Sequence, residues 1–333
     1  MQESVQAKTI SCIDAVKVSQ IVMIALVMVG SVIGNSMICV LLIRFKTLRT
    51  VTNVLIANLA VVDILNAVTN MPLMIMWYIC KVPYLNGRTT SWFIVTWYVL
   101  LMYLTVFNLT AMTMDRFGAI VHSIWYYSWK SVKKAKVAVL MVWILAAAYT
   151  YGMFVLGLDI DLGDAPVLVY RKHYFKNFGR LFIIPGYLVP FMIMLCAGAY
   201  IWYSVHQHNK RISTFCSIGK RFKNDVKTAK TICLTVMAFL LMGVLPMLLH
   251  NISKIHGTWS HFLAYFLGHL NGMANPIIYA LKTQRFRKAF VLLFKDPLGK
   301  SQPQMTSNNP TDLCALSRIA PHNTDVCRKI NYI

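Results

Sequence analysis

The chain has 333 residues, of which 57% are hydrophobic and 13% charged, with a formal net charge of +22. Soluble domains carry about 25% charged residues, so water is excluded as the solvent for most of this chain. The positive balance would suit nucleic acid, but the basic residues segregate by side of a membrane instead of forming one binding face, so no nucleic-acid partner is expected.

Charged residues delimit seven apolar runs, at 18–43, 50–80, 89–114, 137–158, 181–209, 231–253 and 255–281. A helix that crosses a bilayer needs about 20 mainly apolar residues, and each run meets that length. Backbone N–H and C=O groups must be paired within lipid, which leaves helices or a closed barrel. Barrel strands are about ten residues long and alternate strictly in and out, and these runs are too long and too uniformly apolar for that. The predicted fold is therefore all-α, a seven-transmembrane helix bundle. No separate signal peptide precedes the first run, which is expected to act as its own insertion signal. With the N-terminus outside, 24 of the 33 Lys and Arg residues fall on the inner side. This follows the positive-inside rule and brings basic residues to anionic lipid headgroups.

The expected organisation is an extracellular N-terminus (1–17), a membrane domain (18–282), an interfacial helix (283–296) and a flexible cytoplasmic tail (297–333). The stretches 206–229 and 44–52 read as basic inner loops, and a second inner loop ends in Lys130, Lys133, Lys134 and Lys136. After the last span, Thr283 to Phe294 reads as an amphipathic helix: Phe286, Phe290, Leu293 and Phe294 share a face opposite Arg285, Arg287 and Lys288. Such a helix lies in the interface plane. Of the eight cysteines, Cys12 and Cys80 fall on the outer side, where a disulfide between them is permitted.

Histidines aside, Asp63 is the one ionisable acid or base within the seven runs. An ionisable group inside a span is costly and is a functional-site candidate by default. Asn35, Asn271 and Asn275 are further polar groups inside apolar helices, and Thr105 can face them. Lone polar groups in lipid should converge on one another, so these five are expected to form a polar core.

Sparse motifs fall in order along the spans: Gly34-Asn35, Asn58-Leu59-Ala60-Val61-Val62-Asp63, Asp115-Arg116-Phe117, Trp143, Pro190, Pro246 and Asn275-Pro276-Ile277-Ile278-Tyr279. With the amphipathic helix behind them, they resemble a rhodopsin-like (class A) G-protein-coupled receptor over residues 18 to 294. Each motif alone is weak; the ordered set is strong. The resemblance implies a plasma-membrane receptor and not an enzyme, with a ligand on the outer side and a heterotrimeric G protein on the inner. It also implies arrestin-like partners for a tail carrying Ser301, Thr306, Ser307 and Thr311. It assigns coupling and switching to Asp115, Arg116, Phe117, Asn275, Pro276 and Tyr279, with Tyr279 near Arg116 in the activated state. It makes Asp63 the ligand of a sodium ion, with Thr105, Asn271 and Asn275 beside it; no other cofactor is expected.

The chain departs from the family pattern in several places. The acid expected at the inner end of the sixth span is Val226, and Asp225, one residue earlier, is expected to pair with Arg116 at rest. Phe117 stands for the usual tyrosine, Val244 for the sixth-span aromatic switch and Gly198 for a fifth-span tyrosine, with Tyr200 and Tyr203 nearby. The third span begins with Ser91 and Trp92 where a cysteine is usual, and the loop at 157–180 has no cysteine to bond it. Tyr98 stands where amine receptors carry an aspartate, and His269 where opsins carry the retinal lysine, which disfavours monoamine and retinal ligands. Trp97, Tyr98, Met102, Leu249, Tyr265 and His269 are expected to line a pocket for a peptide, a lipid or an apolar small molecule. Two alternatives stay open from the residues: a receptor-fold protein that does not signal, such as a decoy or dimer partner, and an ion or proton transporter using Asp63.

Overall fold

A computed structural model of the chain describes residues 15–80, 88–158, 186–211, 216–246 and 258–295. The first helix, α1 (Ala15–Arg44), is apolar on all sides because one side meets lipid and the other meets protein. A short 3-10 turn (Lys46–Leu48) follows it. The second span, α2, starts at Val51, where Thr50 Oγ1 accepts from the Asn53 backbone N–H at 3.3 Å and so satisfies one of the orphan donors of the first turn. It runs as α-helix over Val51–Leu65, π-helix over Asn66–Asn70, α-helix over Met71–Leu73 and π-helix over Met74–Ile79. Pro72 lies between the two π segments. Proline removes a backbone donor, and π-turns re-aim the side chains beyond them, often at functional sites.

The third span, α3 (Arg88–Val121), carries Arg116 within the helix instead of beyond it. A short helix, α4 (Ser123–Trp129), joins it to α5 (Val132–Leu158). A π-helical turn at 186–188 leads into α6 (Val189–Arg211), so Pro190 sits in the first α-helical turn. The next helix, α7, runs over Cys216–Phe239 and continues as π-helix over Leu240–Val244 up to Pro246. Last come α8 (Thr258–Lys282), with Pro276 inside it, and the amphipathic α9 (Gln284–Lys295).

Two sequence expectations need correction. The stretch 206–229 is mostly helix, not loop: α6 reaches Arg211 and α7 starts at Cys216. Lys and Arg are good helix formers, so both helices continue past the apolar runs that charge alone delimits. The loop before Lys130 is likewise helical, as α4.

Six helical stretches are long and apolar enough to cross a membrane: Ala15–Arg44, Val51–Met76, Phe93–Val121, Val132–Gly152, Gly186–Gln207 and Asn224–Val244. The seventh crossing is α8. Its apolar character is diluted by His269, Asn271 and Asn275, all of which are buried. That polar side is turned into the bundle, where α8 packs on α1, α2 and α7. Where it passes α1, a Cβ on Gly34 would come within 2.9 Å of the Pro276 ring, so glycine lets the two helices meet. One apolar core joins α2, α3 and α5 through Val62, Leu101, Tyr103, Leu104, Val142 and Ala146. Another joins α1, α2 and α8 through Ile24, Val27, Ala67, Met71 and Phe262. The chain divides into the units Met1–Val291 and Leu292–Ile333. The first holds this bundle; of the second, the described residues are the last turn of α9, at 292–295.

Candidate functional site

Among the described residues only three are acidic: Asp63, Asp115 and Asp225. Two of them meet at one end of the bundle around Arg116, whose side chain is 7% exposed. Arg116 Nη2 donates to Asp115 Oδ2 at 2.6 Å and to Thr52 Oγ1 at 2.6 Å, and Nε donates to Asp115 Oδ2 at 3.1 Å. Nη1 donates to Asp225 Oδ1 at 3.2 Å, an ion pair that joins α3 to α7. Thr52 in turn donates to Asp115 Oδ2 at 2.7 Å and draws in the start of α2.

The short α4 completes this cluster. Tyr126 Oη donates to Asp115 Oδ1 at 2.5 Å, and Tyr127 Oη donates to Asp225 Oδ2 at 2.5 Å. Each carboxylate therefore holds Arg116 with one oxygen and a tyrosine with the other. Burial and the adjacent Asp115 push the Tyr126 phenol above its ordinary range, so it stays a donor at physiological pH. Phe117 points away from the cluster, with its ring 5.8 Å from that of His122 and 5.8 Å from that of Tyr200. The Tyr279 ring lies 6.3 Å from that of Phe286, whereas Arg116 donates to Thr52, Asp115, Tyr126 and Asp225.

Mid-bundle, the polar groups are neutral apart from Asp63. Asn275 Nδ2 donates to Asp63 Oδ2 at 2.8 Å. Asn35 Nδ2 donates to the Gly272 carbonyl at 3.0 Å and to Ser31 O at 2.9 Å, which ties α1 to α8. A Cβ on Gly272 would stand 3.1 Å from Asp63 Oδ1. Thr105, expected beside Asp63, gives its hydroxyl to the Leu101 carbonyl at 3.0 Å, as a helical threonine often does. The Oδ1 atoms of Asn35, Asn271 and Asn275 are buried without a protein partner. A carboxylate with surplus amide oxygens is a hard-donor set and fits a hard cation such as sodium.

Further along, π-helical Asn66 and Asn70 form a chain to α8. Asn70 Nδ2 donates to Asn66 Oδ1 at 2.8 Å, and Asn66 Nδ2 lies 3.1 Å from Nδ1 of buried His269. Tyr98 and Tyr265 meet edge to face, with centroids 6.2 Å apart, across α3 and α8. Trp97 Nε1 donates to Thr69 Oγ1 at 2.7 Å, which turns the indole towards α2. Met102 is half-buried in α3. Cys80 is disulfide-bonded; Cys12 and Leu249 lie outside the described residues. Trp143 Nε1 donates to Asn58 Oδ1 at 2.9 Å, and Asn58 Nδ2 donates to Asn108 Oδ1 at 2.9 Å.

The sequence reading missed Thr52, Tyr126 and Tyr127 at the Arg116 cluster, and Asn66 and Asn70 beside His269. A signal existed for the second pair, since two amides four residues apart in an apolar span lie on one helix face. The tyrosines gave less, because only the helical geometry of α4 aims their hydroxyls at acids 11 and 98 residues away.

A bundle of seven spanning helices, with one buried acid and an arginine cluster at one end, is a receptor architecture, and the comparisons agree. Residues 34–279 match the 7 transmembrane receptor (rhodopsin family), and the chain belongs to that family. It is similar to somatostatin receptor type 2 of Mus musculus, at 24% identity over 77% of this chain and 72% of that receptor. It is also similar to galanin receptor type 1 of Rattus norvegicus, at 25% identity over 85% of this chain and 84% of that receptor. Trace amine-associated receptor 1 of Homo sapiens is 26% identical over 85% of this chain and 91% of that protein. The chain is a G-protein-coupled receptor and a multi-pass plasma-membrane protein, with a G protein and an extracellular ligand as its general partners. The comparisons favour neither the transporter nor the non-signalling alternative, and the proteins matched are receptors, not enzymes.

Proposed function

We propose that the Arg116 cluster is the resting-state lock of this receptor, at the cytoplasmic end of the bundle, with the N-terminus outside and the tail inside. The observation that carries this is the ion pair from Arg116 to Asp225 at 3.2 Å, which ties the inner ends of the third and sixth spans. Asp225 takes the place of the acid that Val226 lacks. Ligand binding between the outer halves favours a packing in which this pair parts and the inner face opens to the G protein. A charge-assisted hydrogen bond contributes about 1.5–3 kcal/mol, so Asp225→Asn raises basal nucleotide exchange on the G protein roughly ten- to a hundredfold. Unchanged basal exchange in a well-expressed variant removes Asp225 from the lock.

Asp63 with Asn271 and Asn275 would hold a sodium ion that favours the resting packing, its charge balancing the carboxylate. Replacing Asp63 by Asn keeps the size and removes the charge, so basal exchange loses its dependence on sodium against potassium. A sodium response equal to wild type would make this a purely structural polar cluster. The ligand contacts are Tyr98, Met102, Tyr265 and the Asn66–His269 pair, with Trp97 supporting them through Thr69. Two relatives are named for somatostatin and galanin and one for trace amines. Here the described acids are Asp63 and the two of the lock, so an ammonium among Tyr98, Tyr265 and His269 has no described counter-ion there and is disfavoured. Neutral groups of a peptide, a lipid or an apolar small molecule suit this lining better. Cys80 bonds to Cys12, the other cysteine expected outside, and the strap replaces the clamp that Ser91 and Trp92 cannot make. Arrestin-like proteins would bind the phosphorylated tail.

A further inference from the structure

Away from the Arg116 end, two sides of α3 are built differently. Met102 and Tyr103 are consecutive, so their side chains leave the helix about 100° apart. Tyr103 is fully buried. Its ring stacks on that of Phe107 at 5.6 Å and lies 5.5 Å from Tyr149 of α5 and 5.1 Å from Tyr187, in the π-turn before α6. Phe107 meets Tyr149 edge to face at 5.7 Å. Gly186 permits this packing, because a Cβ there would stand 2.5 Å from Tyr103 Cε1. With Ala146 in the same apolar core, the four rings fill the space between α3, α5 and the start of α6. A ligand could enter that space only by displacing them.

The side between α2, α3 and α8 keeps a hydrogen-bonding group unused. Asn66 Oδ1 accepts from Asn70, so Asn66 Nδ2 is the donor to His269 Nδ1. The His269 ring proton therefore sits on Nε2, which points away from α2. Among the described residues Nε2–H has no acceptor, although His269 is 5% exposed. A buried donor left unpaired is costly, and a ligand acceptor would satisfy it. No lysine or arginine lies within the apolar runs, so a carboxylate there would be buried without a counter-charge. An ammonium has nothing to accept with. We propose that the extracellular ligand is confined to the side between α2, α3 and α8, shut out of the α5 and α6 side by the Tyr103 rings, and that it offers a neutral acceptor such as a carbonyl oxygen to His269 Nε2. The proposal rests on the reading of Tyr98, Met102, Tyr265 and the Asn66–His269 pair as ligand contacts. It narrows the ligand to neutral carbonyl compounds, such as amides and esters.

The test uses the full-length receptor in nanodiscs, with cysteines introduced one at a time and carbamoylmethyl methanethiosulfonate as the probe. Wild type treated in the same way reads the native cysteines. Met102→Cys and Tyr265→Cys react above that background, whereas Ala146→Cys, under the rings, stays at it. Adding Tyr103→Ala, or the milder Tyr103→Leu, lets Ala146→Cys react. Tyr265 stands one helical turn from His269, so the probe leaves a carbonyl within reach of Nε2. Propyl methanethiosulfonate leaves an apolar group of similar length. The carbamoylmethyl adduct of Tyr265→Cys melts about 2–4 °C above the propyl adduct, and His269→Phe abolishes the difference. Reaction at Ala146→Cys equal to that at Met102→Cys and Tyr265→Cys overturns the confinement and leaves the ligand contacts standing. An Ala146→Cys that stays inert in both Tyr103 variants overturns the role of Tyr103. Equal melting of the two adducts, or a difference that survives His269→Phe, overturns the acceptor. If neither Met102→Cys nor Tyr265→Cys reacts, the reading of these residues as ligand contacts is what has failed.

Discussion

The two polar regions of the bundle are built on opposite principles. At the Arg116 end every carboxylate oxygen has a donor: Asp115 and Asp225 each face the guanidinium and a tyrosine. In the middle, Asp63 accepts from Asn275, and the buried Oδ1 atoms of Asn35, Asn271 and Asn275 have no protein partner. A fully satisfied charged network fixes one arrangement and resists partial loosening. A network of amides with surplus acceptors around one carboxylate can exchange partners at little cost. The Arg116 end is charged and saturated, whereas the Asp63 region sets one carboxylate among amides and is under-filled; in the proposed reading the first holds or releases as a unit and the second adapts to an ion.

Combining variants gives the largest expected effect. If Arg116 is both the locked group and the coupling group, adding Arg116→Ala to Asp225→Asn returns the raised basal exchange to background. Persistent high exchange in the double variant would show that Arg116 is not needed for coupling. A mid-bundle change should behave differently. Asn58→Ala leaves the Trp143 N–H and Asn108 Oδ1 without their partner, at about 1–3 kcal/mol for a buried unsatisfied group. Its thermal midpoint falls while basal exchange per folded receptor stays at the wild-type level; a rise in exchange would erase the distinction between the two regions. Tyr126→Phe removes one neutral donor from Asp115 and costs about 1 kcal/mol. Because the Tyr126 phenol is held above its ordinary range, it adds no pH dependence across the physiological interval. Wild type and variant should therefore differ by the same factor between about pH 6 and pH 8. A difference that grows with pH would mean that the phenol ionises.

Much of this was legible in the sequence because membrane chemistry is strict. Seven long runs between charges located the crossings, and Asp63, Arg116 and Asn275 announced themselves as polar groups where lipid makes them costly. Asp225 follows from the family resemblance, which implies an acid one residue later, at Val226. Charge-delimited runs fail where a helix leaves the membrane. Cys216–Phe239 begins among lysines and arginines that a hydropathy reading assigns to a loop. Local sequence also cannot show which way a short helix turns, so the roles of Tyr126 and Tyr127 were hidden. The π-turns at Asn66–Asn70 and Leu240–Val244 shift the helical register with no proline inside them. Backbone insertions of that kind leave little trace in composition.

The lock is tested most directly by how far α7 stands from the rest of the bundle at the Arg116 end. Spin labels placed at Lys136 and Lys230, both exposed, report the distance between the α5 and α7 ends nearest the cluster by pulsed electron resonance. The wild type should give one dominant short distance, with a longer population gained in Asp225→Asn and in Tyr127→Phe. Superimposable distributions in all three proteins would contradict the claim that Arg116, Asp225 and Tyr127 hold the bundle closed.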